Sequence, residues 1–258
     1  MIEPNTALLE VRHVVKSFGR VTAVDDVSLA VRPGEFVALL GANGAGKTTL
    51  LQMLSGLFAP DKGDVIVMGH NLRKDAVLAL REIGVVFQQP TLDLELSVKA
   101  NLLFHSDLQG LPRALARTRI DAALTKFGLT ERARDPARTL SGGNRRRVEL
   151  ARSMLHRPHV LLMDEATVGL DPMSRQGIID DVLRLRREED IGVLWATHLV
   201  DEVEHADRII VLRKGRVLND DRREVLFDRI AAGRPDQHAP SLLELIGGGD
   251  NSSPPLPG

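Results

Sequence analysis

The 258 residues carry 34 Lys+Arg against 35 Asp+Glu, a formal net charge of -1, so no global charge draws the chain to nucleic acid or to an acidic membrane surface. Cysteine is absent, which excludes disulfides, thiolate metal sites and a cysteine nucleophile. Every apolar run is broken well before the roughly 18 residues of a membrane span, and MIEPNTALLE has neither a basic nor an apolar leader segment, so a soluble, non-exported chain is expected. The length and a hydrophobic content of 43% suffice for one large α/β domain with an inserted subdomain.

In chain order, residues 7–31 show β-like alternation (LLEVRHVV, then VTAVDDVSLAV) broken at Ser17-Phe18-Gly19, which predicts two or three antiparallel strands. Phe18, at the hairpin tip of a chain only 3% aromatic, is either a platform for a flat base or an ordinary core side chain. Arg32-Pro33-Gly34 is a turn into residues 36–40 (FVALL), an expected buried parallel strand. Next comes Gly41-Ala42-Asn43-Gly44-Ala45-Gly46-Lys47-Thr48-Thr49, and then a helical pattern to Ser55 closed by Gly56. Strand, glycine-rich loop and helix in that order fit the Walker A pattern. Its glycines let backbone amides curl around a polyphosphate, Lys47 reaches toward the terminal phosphate, and the Thr48 hydroxyl is suited to Mg²⁺.

Residues 64–68 (DVIVM) extend the antiparallel part, and residues 81–87 (REIGVVF) form another core strand. Gln88 stands where that strand runs out, as either a polar terminator or a group that touches Mg²⁺ or an attacking water. From residue 97 to about 156 the pattern is helical, which predicts an inserted subdomain. Pro112 opens one helix as its first residue, with Ala116, Ile120, Ala123 and Phe127 as its buried stripe before Gly128. A second helix starts within Leu140-Ser141-Gly142-Gly143-Asn144. The run Arg145, Arg146, Arg147 in its first turn opposes the helix dipole, so it is either a solvated face or the mark of nearby negative charge. Ser141 with two glycines at a helix start is a second anion-binding arrangement.

Residues 160–165 (VLLMDE) are apolar until two carboxylates end them. Strand alternation is expected to send Asp164 and Glu165 to opposite sides, one to Mg²⁺ and the other to a water beside the γ-phosphate. Asp171-Pro172 caps a helix with the stripe Ile178, Val182, Leu185, followed by a strand at 192–197 (GVLWAT) and His198.

This set of motifs resembles the ATP-binding subunit of ABC transporters over about residues 7–220. GANGAGKT matches the Walker A loop, Gln88 the Q-loop, LSGGN the family signature, VLLMDE the Walker B strand, Asp171 the D-loop and His198 the H-loop, and Phe18 matches the aromatic that stacks on adenine. The resemblance implies a P-loop (RecA-like) α/β core with an N-terminal antiparallel β-subdomain and an α-helical signature subdomain at about 90–157. It implies ATP and Mg²⁺ as ligands, with Thr48, Gln88 and Asp164 on the metal and Glu165, His198 and Gln88 in hydrolysis. It also implies a second, identical cassette whose Ser141, Gly142 and Gly143 bind the γ-phosphate in trans, with Asp171 at the same junction. The chain would sit on the cytoplasmic face of the membrane through a separate transmembrane permease.

Asn144 replaces the usual Gln, Ala166 the usual Pro after the catalytic Glu, and Phe18 the commoner Tyr; Ala166 loosens the backbone after Glu165. LSVKANLLFHSDLQGLPRALARTRI is similar to the helical subdomain of ABC-2-type exporter subunits. The signature region and GVLWATHLVDEVE are similar to cassettes associated with alcohol catabolism dependent on pyrroloquinoline quinone. A soluble ABC ATPase of DNA repair or translation is the alternative, disfavoured because the chain has neither a coiled-coil insertion nor a second cassette. The tail, residues 221–258, is expected to hold one short helix at 241–246 and a disordered end.

Overall fold

The computed structural model describes residues 6–232, and the short helix and disordered end expected after residue 240 lie outside them. Alternating apolar residues pair β1 (Leu9–Phe18) with β2 (Val21–Val31) as an antiparallel hairpin turned by Gly19, whose φ of +59° is left-handed. β4 (Lys62–Val67) and β5 (His70–Asn71) complete a four-stranded sheet in the order β2-β1-β4-β5.

The second sheet is six-stranded, with β10 (Arg216–Arg222), β9 (Arg208–Arg213), β3 (Phe36–Leu40), β8 (Gly192–Thr197), β7 (Val160–Asp164) and β6 (Ile83–Val86) in that order. All its pairings are parallel except that of β10 with β9. Parallel strands covered on both faces read as unbroken apolar runs, as FVALL and VLLMD do. Alternation then splits each strand between two cores. Phe36, Ala38, Leu40, Leu161, Met163 and Trp195 face the helical layer. Val37, Leu39, Val160, Leu162 and Leu194 face α1 (Lys47–Leu54) and the antiparallel sheet.

The helical layer holds α3 (Val98–Leu108), capped by Ser97, α4 (Arg113–Lys126), α5 (Gly142–Ser153) and α6 (Pro172–Glu189). Pro112 precedes α4 as its cap instead of opening it. Ala123 is only partly buried, and Leu124 joins Ala116, Ile120 and Phe127 in the interior. Three further features were not expected. A short helix, α2 (Ala76–Arg81), takes the residues before β6, so that strand begins at Ile83 and not at Arg81. The hairpin of β9 and β10 adds two strands to the edge beside β3, and α7 (Val200–Val203) joins β8 to β9 in the chain. The tail contributes α8 (Arg223–Ala232), which sets Leu226 in the core with Phe227 and Ile230 against it. Among the described residues no helix is long and apolar enough to cross a membrane.

Candidate active site

Parallel pairing brings the C-terminal ends of β3, β6, β7 and β8 to one edge of the sheet, so the residues that follow each strand meet there. Residues 41–49 follow β3, Gln88 follows β6, Asp164 and Glu165 close β7, and His198 follows β8. A cleft of about 620 Å³ opens at this edge, lined among others by Asn43, Gly44, Lys47, Gln88, Glu165 and His198.

Two glycines of the loop are required sterically. A Cβ on Gly41 would lie 2.5 Å from the Leu212 carbonyl, and one on Gly46, at φ +107°, 2.4 Å from the Ala23 carbonyl. Ala45 is buried, its N–H donating to Ala42 O (3.1 Å) and its carbonyl accepting from Gly215 N (2.9 Å). α1 therefore begins at Gly46 with no side-chain cap, which leaves amides of its first turn for an anion. Lys47 is only 4% exposed and closes the loop on itself, donating from Nζ to Gly41 O (2.6 Å) and Ala42 O (3.1 Å). Thr48 and Thr49 follow on the cleft side, and the Thr48 hydroxyl donates to Asp164 Oδ1 at 3.4 Å.

The two carboxylates do not diverge as strand alternation predicts. Asp164, the last residue of β7, faces the α1 side like Leu162 two residues before it. Glu165 has left the strand. Its φ of +45° is left-handed, and its carboxylate lines the cleft 3.3 Å from Lys47 Nζ, on the side where Asp164 meets Thr48. There Glu165 accepts from Gln88 Nε2 (2.9 Å) and lies 3.1 Å from His198 Nδ1. Burial, and next the charge of Glu165, push Asp164 up to about 6. A carboxyl so placed gains from a cation beside it.

Among the described residues no cluster of three or more His, Cys, Asp or Glu forms a self-sufficient metal site. The carboxylate of Asp164 and the hydroxyl of Thr48 in contact beside a phosphate loop, with the amide of Gln88 lining the same cleft, nevertheless fit Mg²⁺, which takes few protein oxygens and completes its shell from phosphate and water.

The remaining expected residues lie elsewhere. Phe18 is 45% exposed at the end of the β1–β2 hairpin, edge-on to Phe58 at 5.5 Å, with Lys16 Nζ 5.6 Å from its ring centre. It is not a core side chain. Ser141 caps α5, accepting from Asn144 N (3.3 Å), and with Gly142 it is exposed and outside the cleft. Gly143 is buried because α6 lies against it: a Cβ there would meet Ser174 Oγ at 2.5 Å. Asp171, exposed, caps α6 by accepting from Ser174 N (2.9 Å), so the signature and Asp171 form one surface.

The three arginines have three different fates. Arg146 is buried and donates to Glu149 (2.7 Å) and to the carbonyls of Phe87 (2.6 Å) and Gln88 (2.9 Å). Arg147 pairs with Asp181 at 3.1 Å, and Arg145 has a buried Nε without a partner. The link from Arg146 to Gln88, with Glu149 as its counter-charge, was missed in the sequence. The spacing of Arg146 and Glu149, three apart on a helix, was the available signal.

A family model described as ABC transporter matches residues 24–168. The linearmycin resistance ATP-binding protein LnrL of Bacillus subtilis (strain 168) is 38% identical over 212 residues, covering 82% of this chain and 68% of that protein. The Nod factor export ATP-binding protein I of Ralstonia nicotianae is 38% identical over 234 residues, covering 90% and 69%. The energy-coupling factor transporter ATP-binding protein EcfA1 of Symbiobacterium thermophilum is 41% identical over 220 residues, covering 83% and 77%. Among solved structures, cbiO1 from Clostridium perfringens, part of the ABC transporter complex cbiONQ, superposes with a TM-score of 0.79 at 30% identity, covering 88% of this chain and 94% of that one.

Proposed function

This chain belongs to the ABC transporter family as an ATP-hydrolysing subunit that works with separate membrane components, and on that premise we propose that it drives export through a permease on another chain. Two copies close head to tail over ATP, on the cytoplasmic face of the membrane. The observation that carries this reading is the division of the glycine-rich helix starts. Lys47, Thr48, Asp164, Glu165, Gln88 and His198 converge on one cleft, while Ser141 and Gly142 stand exposed outside it. A single chain thus offers two half-sites that cannot meet without a second copy.

In the closed pair, Lys47 gives up the carbonyls of Gly41 and Ala42 for the γ-phosphate, and Ser141 of the partner copy donates to it from the opposite side. Phe18 stacks on the adenine. Asp164, Thr48 and Gln88 would hold Mg²⁺, which neutralises phosphate charge when bound. Glu165 accepts the proton of the attacking water. His198, released from Glu165, donates to the phosphate as charge shifts in the transition state. The bond from Arg146 to the Gln88 carbonyl gives site occupancy a mechanical route into the helical layer, from which Gln88 signals to the permease.

Export is supported by the resemblance of the helical subdomain to exporter subunits and by the names of LnrL and of the Nod factor protein. Affinity purification of the tagged chain from detergent-solubilised membranes should recover a multi-spanning permease in stoichiometric amount. In inside-out vesicles carrying the pair, external ATP should then drive substrate inward. Recovery with ribosomes or DNA in place of a permease would refute the transporter reading. Substrate efflux from those vesicles would reverse the direction.

A further inference from the structure

The segment after Glu165 is tied to the sheet by a carboxyl that the hydrolytic scheme does not use. Glu202, in α7, is 2% exposed, between Thr167 at 0% and Thr197 at 1%. The Thr167 hydroxyl donates to Glu202 Oε1, and the Thr197 hydroxyl lies near enough to the same carboxyl group to favour its charged form. Glu202 Oε2 is buried with no hydrogen-bond partner.

Both threonines adjoin the reacting groups. Thr167 lies two residues after Glu165, in a turn where Val168 N donates to Glu165 O (3.2 Å) and Leu170 N to Thr167 O (3.1 Å). Thr197 ends β8 directly before His198, and its Oγ1 accepts from Leu199 N at 2.9 Å. Glu202 is therefore where the segment that aims Glu165 and the segment that aims His198 are pinned together. The pin has work to do, because Glu165 is held at a left-handed φ of +45° and is followed by Ala166, which lacks the backbone restraint of a proline.

We propose that Glu202 is a positioning residue for hydrolysis, holding Glu165 and His198 in mutual register by tying Thr167 to α7, the helix that follows His198. The inference rests on the roles given above to Glu165 and His198. As a carboxylate, Glu202 accepts from the Thr167 hydroxyl with Thr197 close by; protonated, it would present an O–H on the oxygen that has no partner. The ionised form is the tighter pin.

Burial pushes Glu202 up to about 7, against the nearby Thr197 hydroxyl and the charges of Arg175 and His198, while Asp201 adds to the rise. Arg175 from α6, His198 after β8 and Asp201 from α7 are the charged groups that face it. The sign follows. An unfolded glutamate ionises near 4.5 and this one near 7, so its protonated form contributes stability that is lost as pH rises between those values. Activity changes in the opposite direction, rising through about pH 7 as the tighter pin forms.

Steady-state kinetics of Glu202→Ala should show kcat lowered by about tenfold to 10²-fold with the KM for ATP little changed, as expected of misaimed catalytic groups. Glu202→Gln, with its amide oxygen on Thr167, should keep the wild-type rate at about pH 6 and lack the rise toward about pH 8. Without nucleotide, the melting temperature of Glu202→Gln should gain on the wild type as pH rises from about 5 to about 8. Glu165→Gln is assayed alongside. If it hydrolyses normally, the hydrolytic scheme fails while the melting comparison still reads the buried carboxyl. If Glu165→Gln is inactive but folded Glu202→Ala turns over like the wild type, the positioning role is refuted. Should Glu202→Ala fail to fold, Glu202→Gln decides alone, and an unaltered pH profile overturns the proposal.

Discussion

The chain has two glycine-rich helix starts, at α1 and α5, and they are finished to different degrees. The α1 loop is closed inward: Lys47 is buried on two carbonyls and faces Glu165, Ala45 is committed to Ala42 and Gly215, and Gly46 touches Ala23. At α5 the exposed Ser141 hydroxyl has one long bond to its own helix, and a Cβ on Gly142 would meet Leu170 alone. Below that exposed turn, Arg146 and Glu149 are among the more buried charges of the molecule. The α1 end carries the polar groups to grip a polyphosphate unaided. The α5 end is rigid underneath and open on top, as suits a surface that donates to a ligand held by another molecule.

The comparison can be broken at four points, from the largest effect down. Glu165→Gln keeps the shape of the cleft but removes its base, so turnover should fall by about 10² to 10⁴-fold. Unhydrolysed ATP should then hold two copies together in size-exclusion chromatography with light scattering, and Ser141→Arg added to that variant should return it to monomer, with ATP still bound by the α1 loop of each copy. A variant that stays monomeric in ATP would deny that the two helix starts ever meet.

Glu149→Ala leaves Arg146 buried without its carboxylate and should cost about 3 to 5 kcal/mol in urea denaturation. A loss below about 1 kcal/mol, the range of an exposed pair, would mean that the base of α5 is no firmer than its tip. Phe18→Ala should weaken ATP by about 1 to 3 kcal/mol in a fluorescent-nucleotide titration. Competition by tripolyphosphate should be unchanged, because phosphate recognition belongs to the α1 loop. Arg147→Ala removes a half-exposed pair with Asp181 and should change stability by about 0 to 1 kcal/mol in the same urea assay.

The local sequence determined most of what depends on nearest neighbours. FVALL, VLLMD and GVLWAT announced buried parallel strands because both their faces are covered. Asp171-Pro172 and Ser141-Gly142 announced helix starts through cap chemistry that is complete within four residues. Arg208–Arg213 and Arg216–Arg222 carry a signal of the same short range, a two-residue Lys214-Gly215 turn with Gly215 at φ +79°. α8 was harder to see, since its apolar residues gain a face only when Leu226 finds the core.

What the tertiary structure alone decided is the direction in which side chains point once the chain leaves a regular element. Strand alternation predicts that Asp164 and Glu165 part company, and one left-handed residue at the strand end reverses that result. Three adjacent arginines look alike in sequence, yet the helix turns one onto the Gln88 carbonyl, one onto Asp181 and one into a site without a partner at Nε. Glu202 reads as one acid among several in LVDEVEHAD, and only the docking of α7 against the sheet at β3 makes it a buried carboxyl near Thr167 and Thr197. Periodicity and capping are short-range and therefore written in the chain. Burial of a charge depends on elements far apart in sequence closing over it, and no window of neighbouring residues contains that information.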